Sequence, residues 1–227
     1  MPTINFEELV EIPAGLETLA DFRRWTLSDA FPEQGRIDFI GGRIEVDMSP
    51  ERLDFHAAVK SALAFGLMQQ VEASGLGQVY VDRARVASPV AGLSCEPDIV
   101  YVSWASRKAG DVRYIQAPQP IGPTDPLEIE GGPDLVVEIV SPSSKAKDTQ
   151  RLPPAYFAAG VREFWLADAL GKQVVFEIHT RGKKGFRKVA AGKDGFVKSP
   201  LFGASFRLRR RAGPVENSVV YRLETRA

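Results

Sequence analysis

The sequence predicts a protein of the α/β (α+β) class. Short apolar runs rich in β-branched residues alternate with longer stretches whose apolar residues recur at helical spacing. Glycines and prolines cluster between these segments, as expected for turns. The chain has 227 residues, 44% hydrophobic and 26% charged, which is an ordinary globular composition. We expect one domain over residues 1–227, with a core at about 36–180 and a C-terminal β extension over 181–227.

The first elements of the chain are predicted to be two helices with a hairpin between them. Thr18–Asp29 and Pro50–Ala73 place apolar residues at helical spacing, and Gly75 stands where the second helix would end. Two alternating segments flank Gly41 and Gly42, and a glycine pair in this position is typical of a hairpin turn.

The middle of the chain is predicted to contain two strands and a long connector. Gln78–Ala87 alternates over its whole length, so we expect one strand with Arg83 and Arg85 on the same face. A second strand follows Asp98, because a Pro-Asp dipeptide opens a β-branched run there. Trp104–Gly131 carries many prolines and glycines and predicts an irregular, functional or surface connector.

The C-terminal half is predicted to contain a buried strand, a helix and further β structure. The strand is the apolar run Leu135–Val140. The predicted helix Lys145–Ala159 contains a proline pair that must break or kink it, or stand in the first turn of a restarted helix. The expected β elements are a hairpin of Val161–Asp168 with Gln173–Thr180, a hairpin within Arg181–Lys198, and a final strand at Ser218–Leu223.

Charge and cysteine content restrict the class of protein. The chain has 29 basic and 29 acidic residues, so composition gives no bulk attraction to nucleic acid or to a membrane. The single cysteine, Cys95, excludes an intramolecular disulfide framework and fits a reducing cytoplasm. No apolar run approaches the roughly 20 residues that span a bilayer, and the N-terminus lacks a signal pattern. We expect a cytoplasmic protein with no membrane partner.

Acidic residues in or beside buried strands are the candidate functional groups. Glu138 interrupts the apolar run Leu135–Val140, and a buried carboxylate is costly unless something pairs with it. A salt bridge would explain it, and so would a role as metal ligand or general base. Asp98 and Asp134 each follow a proline at the start of a strand. Asp134 would lie about 13 Å from Glu138, too far to share an ion, so we interpret it as structural.

The sequence also resembles a known family. PDLVVEIVSPSS, followed by Asp148, Tyr156 and GVREFWLAD, is similar to the Uma-two family of bacterial proteins, which are classed as restriction endonucleases of the PD-(D/E)xK superfamily. The segments RIDFIGGRIEVDMSP and EPDIVYVS, with His56, resemble it more weakly. The resemblance implies a restriction-endonuclease-like mixed β-sheet core flanked by helices, with extra β-hairpins at the N- and C-terminal sides. It also implies a homodimer.

The resemblance assigns roles to three acids. Asp98 matches the aspartate of the motif, Glu138 matches the acidic residue of the (D/E)xK element, and Asp38 stands where related proteins have a glutamate on an early strand. Asp98, Glu138 and the main-chain carbonyl of Ile139 are then the expected ligands of Mg²⁺ or Mn²⁺, cations that prefer oxygen donors.

The motif lysine is absent from both positions where the resemblance places it. The third residue of the ExK element is Val140, and the residue four before Tyr156 is Leu152. Lys145 and Lys147 are the candidates to replace it at the catalytic site.

The sequence therefore predicts a metal-dependent endonuclease that hydrolyses phosphodiester bonds in DNA. Two alternatives remain open: a catalytically degenerate fold that binds nucleic acid or protein, and a structural protein whose buried acids are salt-bridged. The residues expected to contact nucleic-acid phosphate are Arg83, Arg85, Lys183 and Lys184, although such charges are equally typical of a solvated surface.

Overall fold

The structure is a computed structural model and describes residues 10–226. The helices are α1 (Leu19–Thr26), α2 (Ala58–Ser74), α3 (Trp104–Ala109) and α4 (Leu152–Ala159), with π-helical turns at Leu53–Ala57 and Lys147–Arg151. The strands are β1 (Arg36–Ile40), β2 (Arg43–Asp47), β3 (Gly77–Val81), β4 (Arg85–Ser88), β5 (Leu93–Cys95), β6 (Ile99–Ser103), β7 (Val112–Gln116), β8 (Pro126–Gly131), β9 (Leu135–Ile139), β10 (Glu163–Asp168), β11 (Val175–Arg181), β12 (Phe186–Lys188), β13 (Val197–Ser199), β14 (Ala204–Ala212) and β15 (Val219–Arg226).

The strands of residues 10–226 form three sheets. The first has the order β2-β1-β5-β4-β8-β7, the second β12-β11-β10-β9-β6-β3, and the third β13-β14-β15. Each of the two larger sheets contains one parallel pair, β4 with β8 and β9 with β10, and all their other pairs are antiparallel. The predicted fold class, mixed sheets flanked by helices, is confirmed.

The largest core cluster joins α2 to the second and third sheets. It contains Leu63 from α2, Trp165 from β10 and Leu223 from β15. A Cβ atom at Gly66 would lie 2.9 Å from the Cβ of Leu223, so the close approach of α2 to β15 requires a glycine there. This packing fixes α2, whose N-terminal end carries candidate site residues.

The predicted single strand Gln78–Ala87 is wrong, because the chain turns sharply at Asp82 and Arg83. These residues have φ values of 59° and 53°, in the left-handed region that ends a strand. The segment therefore forms β3 in the second sheet and β4 in the first. Its arginines do not share one strand face.

Two further predictions on the β structure are corrected. Trp104–Gly131 is not an irregular connector but contains α3, β7 and β8. Its strand β8 pairs with β4 and β7 and buries Ile129, and Glu128 and Glu130 on the same strand both accept hydrogen bonds from Arg23. The basic segment 181–198 does not form its own hairpin either, because β12 pairs with β11 and β13 pairs with β14.

Glu163 ties the third sheet to the second and gives a stability prediction. Its buried carboxylate accepts hydrogen bonds from Trp165 Nε1 at 2.9 Å, Ser199 Oγ at 2.8 Å and the Leu201 amide at 2.8 Å. We expect Glu163→Gln to lower the free energy of unfolding by about 1–3 kcal/mol, because an amide nitrogen must then face one of these donors. Urea unfolding measures this, with exposed Glu216→Gln as control. Equal unfolding midpoints for both variants would contradict it.

Candidate active site

Asp98 and Glu138 lie side by side where β6 and β9 meet. The antiparallel register pairs Ile99 with Val137, so the next residue pair at that end is Asp98 with Glu138, and directly opposite residues point to the same face. The Ile139 amide donates to Asp98 Oδ2 at 2.8 Å, and both carboxylates are buried. The fold thus brings two acids that are distant in sequence into one buried pair.

Three cations surround Asp98. Arg36 Nη2 lies 3.0 Å and Lys60 Nζ 3.5 Å from its Oδ1, and His56 Nε2 lies 3.4 Å from its Oδ2. Burial opposes ionisation, but the hydrogen bond from His56 and the charge of Arg36 hold the pKa of Asp98 well below its ordinary value. These neighbours therefore favour the ionised form of Asp98.

Glu138 and Asp148 have the opposite electrostatic environment. Burial raises the pKa of Glu138 well above its ordinary value, and the charges of Asp148 and Asp98 raise it further. The Tyr156 hydroxyl donates a hydrogen bond to Glu138 Oε1. Burial raises the pKa of Asp148 to about 6, and its buried Oδ1 has no hydrogen-bond partner among the described residues. Burial and the neighbouring acids therefore oppose ionisation of these two carboxylates.

Lys147 reaches this cluster from the π-helical turn that precedes α4. Its Nζ lies 2.8 Å from Oδ2 of Asp38, whose Oδ1 accepts a hydrogen bond from the Glu96 amide at 3.1 Å. Burial opposes protonation of the amine, but Asp38 and Glu138 together raise the pKa of Lys147 above its ordinary value. Lys145 lies outside the cluster: it is exposed, with Nζ 3.9 Å from Asp168.

The wide turn explains how adjacent residues both face inward. Lys147 and Asp148 are consecutive and both buried, and π-helical geometry of this kind occurs frequently at functional sites. The positions at which the resemblance placed a lysine, Val140 and Leu152, lie instead in an apolar cluster with Tyr156.

A cavity of about 730 Å³ opens beside the cluster. The three basic side chains that contact Asp98 line it, and lining acids pair with them: Lys60 Nζ lies 2.6 Å from Glu51 Oε1, and Arg36 Nη2 lies 3.7 Å from Asp82 Oδ1. The basic side chains of the lining are Arg36, Arg52, His56, Lys60 and Arg83, and the turn Ser141–Ser144 forms another part. Acidic residues also line it, namely Glu33, Asp47, Glu51, Asp82 and Glu96.

The residues predicted to contact nucleic acid are in three different environments. Arg83 lines the cavity, where its Nη2 donates to the Gly35 carbonyl at 3.2 Å. Arg85 is buried, is ion-paired with Glu96, and lies 4.9 Å from the Phe31 ring centroid, so its role is internal and we do not propose a phosphate contact for it. Lys183 and Lys184 are exposed in the turn between β11 and β12, apart from this cavity.

Asp134 has a structural position, as expected. Its Oδ2 accepts from the Ser103 amide at 2.6 Å, and its Oδ1 accepts from Ser106 Oγ at 2.7 Å. It thereby joins the start of β9 to the first turn of α3.

Sequence reasoning assigned no site role to Arg36 and Lys60, and it named His56 only among the residues of the weaker resemblance. A local signal existed for two of these residues, because His56 and Lys60 are four positions apart and therefore lie on one helical face. Arg36 lies two residues before Asp38 in β1, so both side chains point to the same face of the strand. Their common partner, Asp98, is far away in sequence, and only the fold reveals it.

The fold and the acidic cluster together define a nuclease-like α/β protein. A solved structure described as a "putative nuclease belonging to DUF820", from Anabaena variabilis ATCC 29413, is 19% identical with a TM-score of 0.59 over 82% of this chain and 90% of that chain. A search of functionally curated proteins finds no match. The model of the Uma2 (Uma-two) family, described as "Putative restriction endonuclease", matches residues 19–209. The chain belongs to this family.

Proposed function

We propose that this protein is a metal-dependent endonuclease that hydrolyses phosphodiester bonds in DNA. The main support is the placement of Asp98 beside Glu138, with the Lys147 amine near Glu138 and a cavity of mixed basic and acidic lining next to them. Family membership supports the reaction class.

The donor chemistry of the cluster fits a hard divalent cation. Within residues 10–226, no three Asp, Glu, His or Cys side chains form a ready-made metal site. However, Asp148 has an unpartnered buried oxygen, and burial is the main cause of the raised pKa values of Glu138 and Asp148, so a bound cation would favour the charged form of both carboxylates. Asp98, Glu138 and the carbonyl of Ile139 would hold Mg²⁺ or Mn²⁺. When bound, such an ion polarises the phosphate and acidifies a water molecule.

The remaining site residues have roles in charge stabilisation and orientation. Lys147 supplies a buried positive charge beside Glu138, where it can stabilise charge that develops on the phosphate oxygens. Asp38 orients Lys147, and Tyr156 orients Glu138, through the hydrogen bonds described above. Arg36 and Lys60, on the cavity wall, are placed to contact the phosphates of the bound strand.

A second candidate function is binding without catalysis. It is favoured by the apolar Val140 and Leu152 at the motif-lysine positions and by the contacts of Arg36 and Lys60 with Asp98. These two cations compete with a metal ion for the same carboxylate.

Plasmid cleavage with a parallel measurement of thermal stability separates these functions. We expect supercoiled DNA to be nicked or linearised with Mg²⁺ or Mn²⁺ but not with EDTA. The metal should also raise the unfolding temperature, since a ligand at 100 times its Kd adds about 2.7 kcal/mol of stability. DNA binding without cleavage in any divalent metal would establish the binding-only function. If the protein neither binds nor cleaves DNA, the buried acids have a structural role.

Two further expectations are part of this proposal. We infer a homodimer by analogy with related nucleases, which light scattering of the purified protein tests. We also infer a cytoplasmic location, which is consistent with a buried, free Cys95. No helix within residues 10–226 is long and apolar enough to cross a membrane.

A further inference from the structure

The outer face of the third sheet is strongly basic. In β14, Arg207, Arg209 and Arg211 alternate with Phe206 and Leu208, which are buried in the core. The strand register places further cations on the outer face. From β15, Arg222 lies opposite Arg209 and Arg226 lies opposite Ser205. From β13, Lys198 also lies opposite Ser205. We call this set the arginine face: Lys198, Arg207, Arg209, Arg211, Arg222 and Arg226.

Acidic groups do not balance this charge. Within residues 10–226, Glu224 and Asp194 are the carboxylates paired with the arginine face, whereas the whole chain has equal numbers of acidic and basic residues. Glu224 alone is shared by Arg207 at 2.5 Å, Arg211 at 3.1 Å and Arg209 at 3.5 Å. One carboxylate cannot neutralise three guanidinium groups, so the face keeps a net positive charge.

The pairing of Arg209 with Arg222 costs stability. These residues are directly opposite each other on antiparallel strands, and like charges in that position are destabilising. Arg210, on the other face of β14, is different: it donates to the carbonyls of Ala169 at 3.1 Å and Gly171 at 2.9 Å. Arg210 therefore has an internal role, whereas Arg209, Arg211 and Arg222 on the outer face donate to no main-chain carbonyl among the described residues. An anionic partner would relieve their repulsion.

Stacking holds part of the arginine face in place. The guanidinium groups of Arg207 and Arg226 each lie 4.5 Å from the centroid of the Phe196 ring. Side chains fixed in this way lose less entropy when they bind. Outward arginines two residues apart repeat every ~6.8 Å along a strand, about twice the 3.4 Å axial rise per nucleotide of one DNA strand. Guanidinium groups also match phosphate geometry in bidentate fashion.

We propose that the arginine face binds the phosphate backbone of a double-stranded nucleic acid. The regular repeat of the outward arginines favours a duplex over the fluid headgroups of an anionic membrane. None of its six residues lines the cavity beside Asp98, so this is a second contact surface, separate from the proposed site of hydrolysis. It would position a duplex on the protein without reading its sequence. The choice of nucleic acid among polyanions rests on the proposed function.

Fluorescence anisotropy with a labelled 30-base-pair duplex tests the proposal. The measurement uses the full chain in EDTA, so that binding is recorded without cleavage. We expect Arg209→Ser/Arg211→Ser/Arg222→Ser to raise Kd by at least tenfold and to reduce the slope of log Kd against log salt by about 3, near 0.9 for each lost phosphate contact. The control Arg24→Ser/Arg43→Ser/Lys108→Ser removes the same charge from exposed positions elsewhere and should change the slope little.

The single variant Arg222→Ser guards against a folding defect in the triple variant. It should reduce the slope by about 1 and leave the unfolding temperature unchanged or higher, since it removes the repulsion with Arg209. The proposal is overturned if both substituted proteins bind like wild type. The proposal is also overturned if the control variant loses as much duplex affinity as the Arg209/Arg211/Arg222 variant. The same holds if the protein binds anionic vesicles but not the duplex. A chain that binds duplex through this face but never cleaves DNA would contradict only the proposed hydrolysis.

Discussion

Replacing Glu138 with glutamine is expected to lower the rate of DNA cleavage by about 10³-fold or more while leaving the protein at least as stable as wild type. The loss of rate follows from the loss of an anionic metal ligand. Stability should be kept because glutamine retains an oxygen for the Tyr156 hydroxyl and is neutral at a position where burial and the charges of Asp148 and Asp98 oppose ionisation. Cleavage rates at saturating Mg²⁺ or Mn²⁺ and thermal unfolding measure the two effects.

Glu163→Gln is the matched control, because Glu163 is also a buried glutamate and lies on the neighbouring strand β10. Its carboxylate accepts three hydrogen bonds from groups remote from the cavity, so this variant should lose stability and keep activity. If Glu138→Gln instead lost stability and cleaved DNA at the wild-type rate, Glu138 would be structural and the proposed site would be wrong.

Replacing Lys147 with glutamine is expected to lower the cleavage rate by about 10²–10³-fold, the usual effect of removing one charge-stabilising group. The same change leaves Asp38 buried without its cation, and breaking such a pair costs about 3–5 kcal/mol of stability. Single-turnover cleavage and urea unfolding measure the two losses. Lys145→Gln, two positions earlier and exposed, should affect neither.

A double variant separates catalysis from stability. Asp38→Asn together with Lys147→Gln removes both charges of the pair, so most of the lost stability should return. Activity should stay low, because the positive charge near Glu138 is still missing. Recovery of cleavage along with stability would show that Lys147 acts only by holding the fold together.

Part of the site could be predicted from sequence patterns that span only a few residues. A Pro-Asp dipeptide before a β-branched run, and a glutamate inside an apolar run, are signals within a few residues. Both indicate a carboxylate at or in a buried strand, and both acids are indeed buried. Lys147 could be named as a candidate but not distinguished from Lys145, because a π-helical turn rather than an α-helix decides which amine faces inward.

The errors in the predicted fold have equally local causes. β3 and β4 were predicted as one strand because apolar and polar residues alternate without interruption across both. The break between the two strands depends on Asp82 and Arg83, two non-glycine residues with positive φ. Strands β7 and β8 lack an apolar signature, and β8 is held by ion pairs with Arg23 from α1. Arg85 resembles a surface residue in sequence, but its charge is buried against Glu96.

The sequence by itself determined the α/β class and most of the helices and strands, and it marked Asp98 and Glu138 as candidate acids, because hydrophobic period, turn residues and buried charge are properties of short segments. The tertiary structure alone decided which charges meet. Asp98 and Glu138 are joined by strand register, Asp38 and Lys147 by the approach of β1 to a helical turn, and the arginine face by pairing of β14 with β15. Electrostatic interactions act between neighbours in space, and neighbours in space are set by topology rather than by sequence distance.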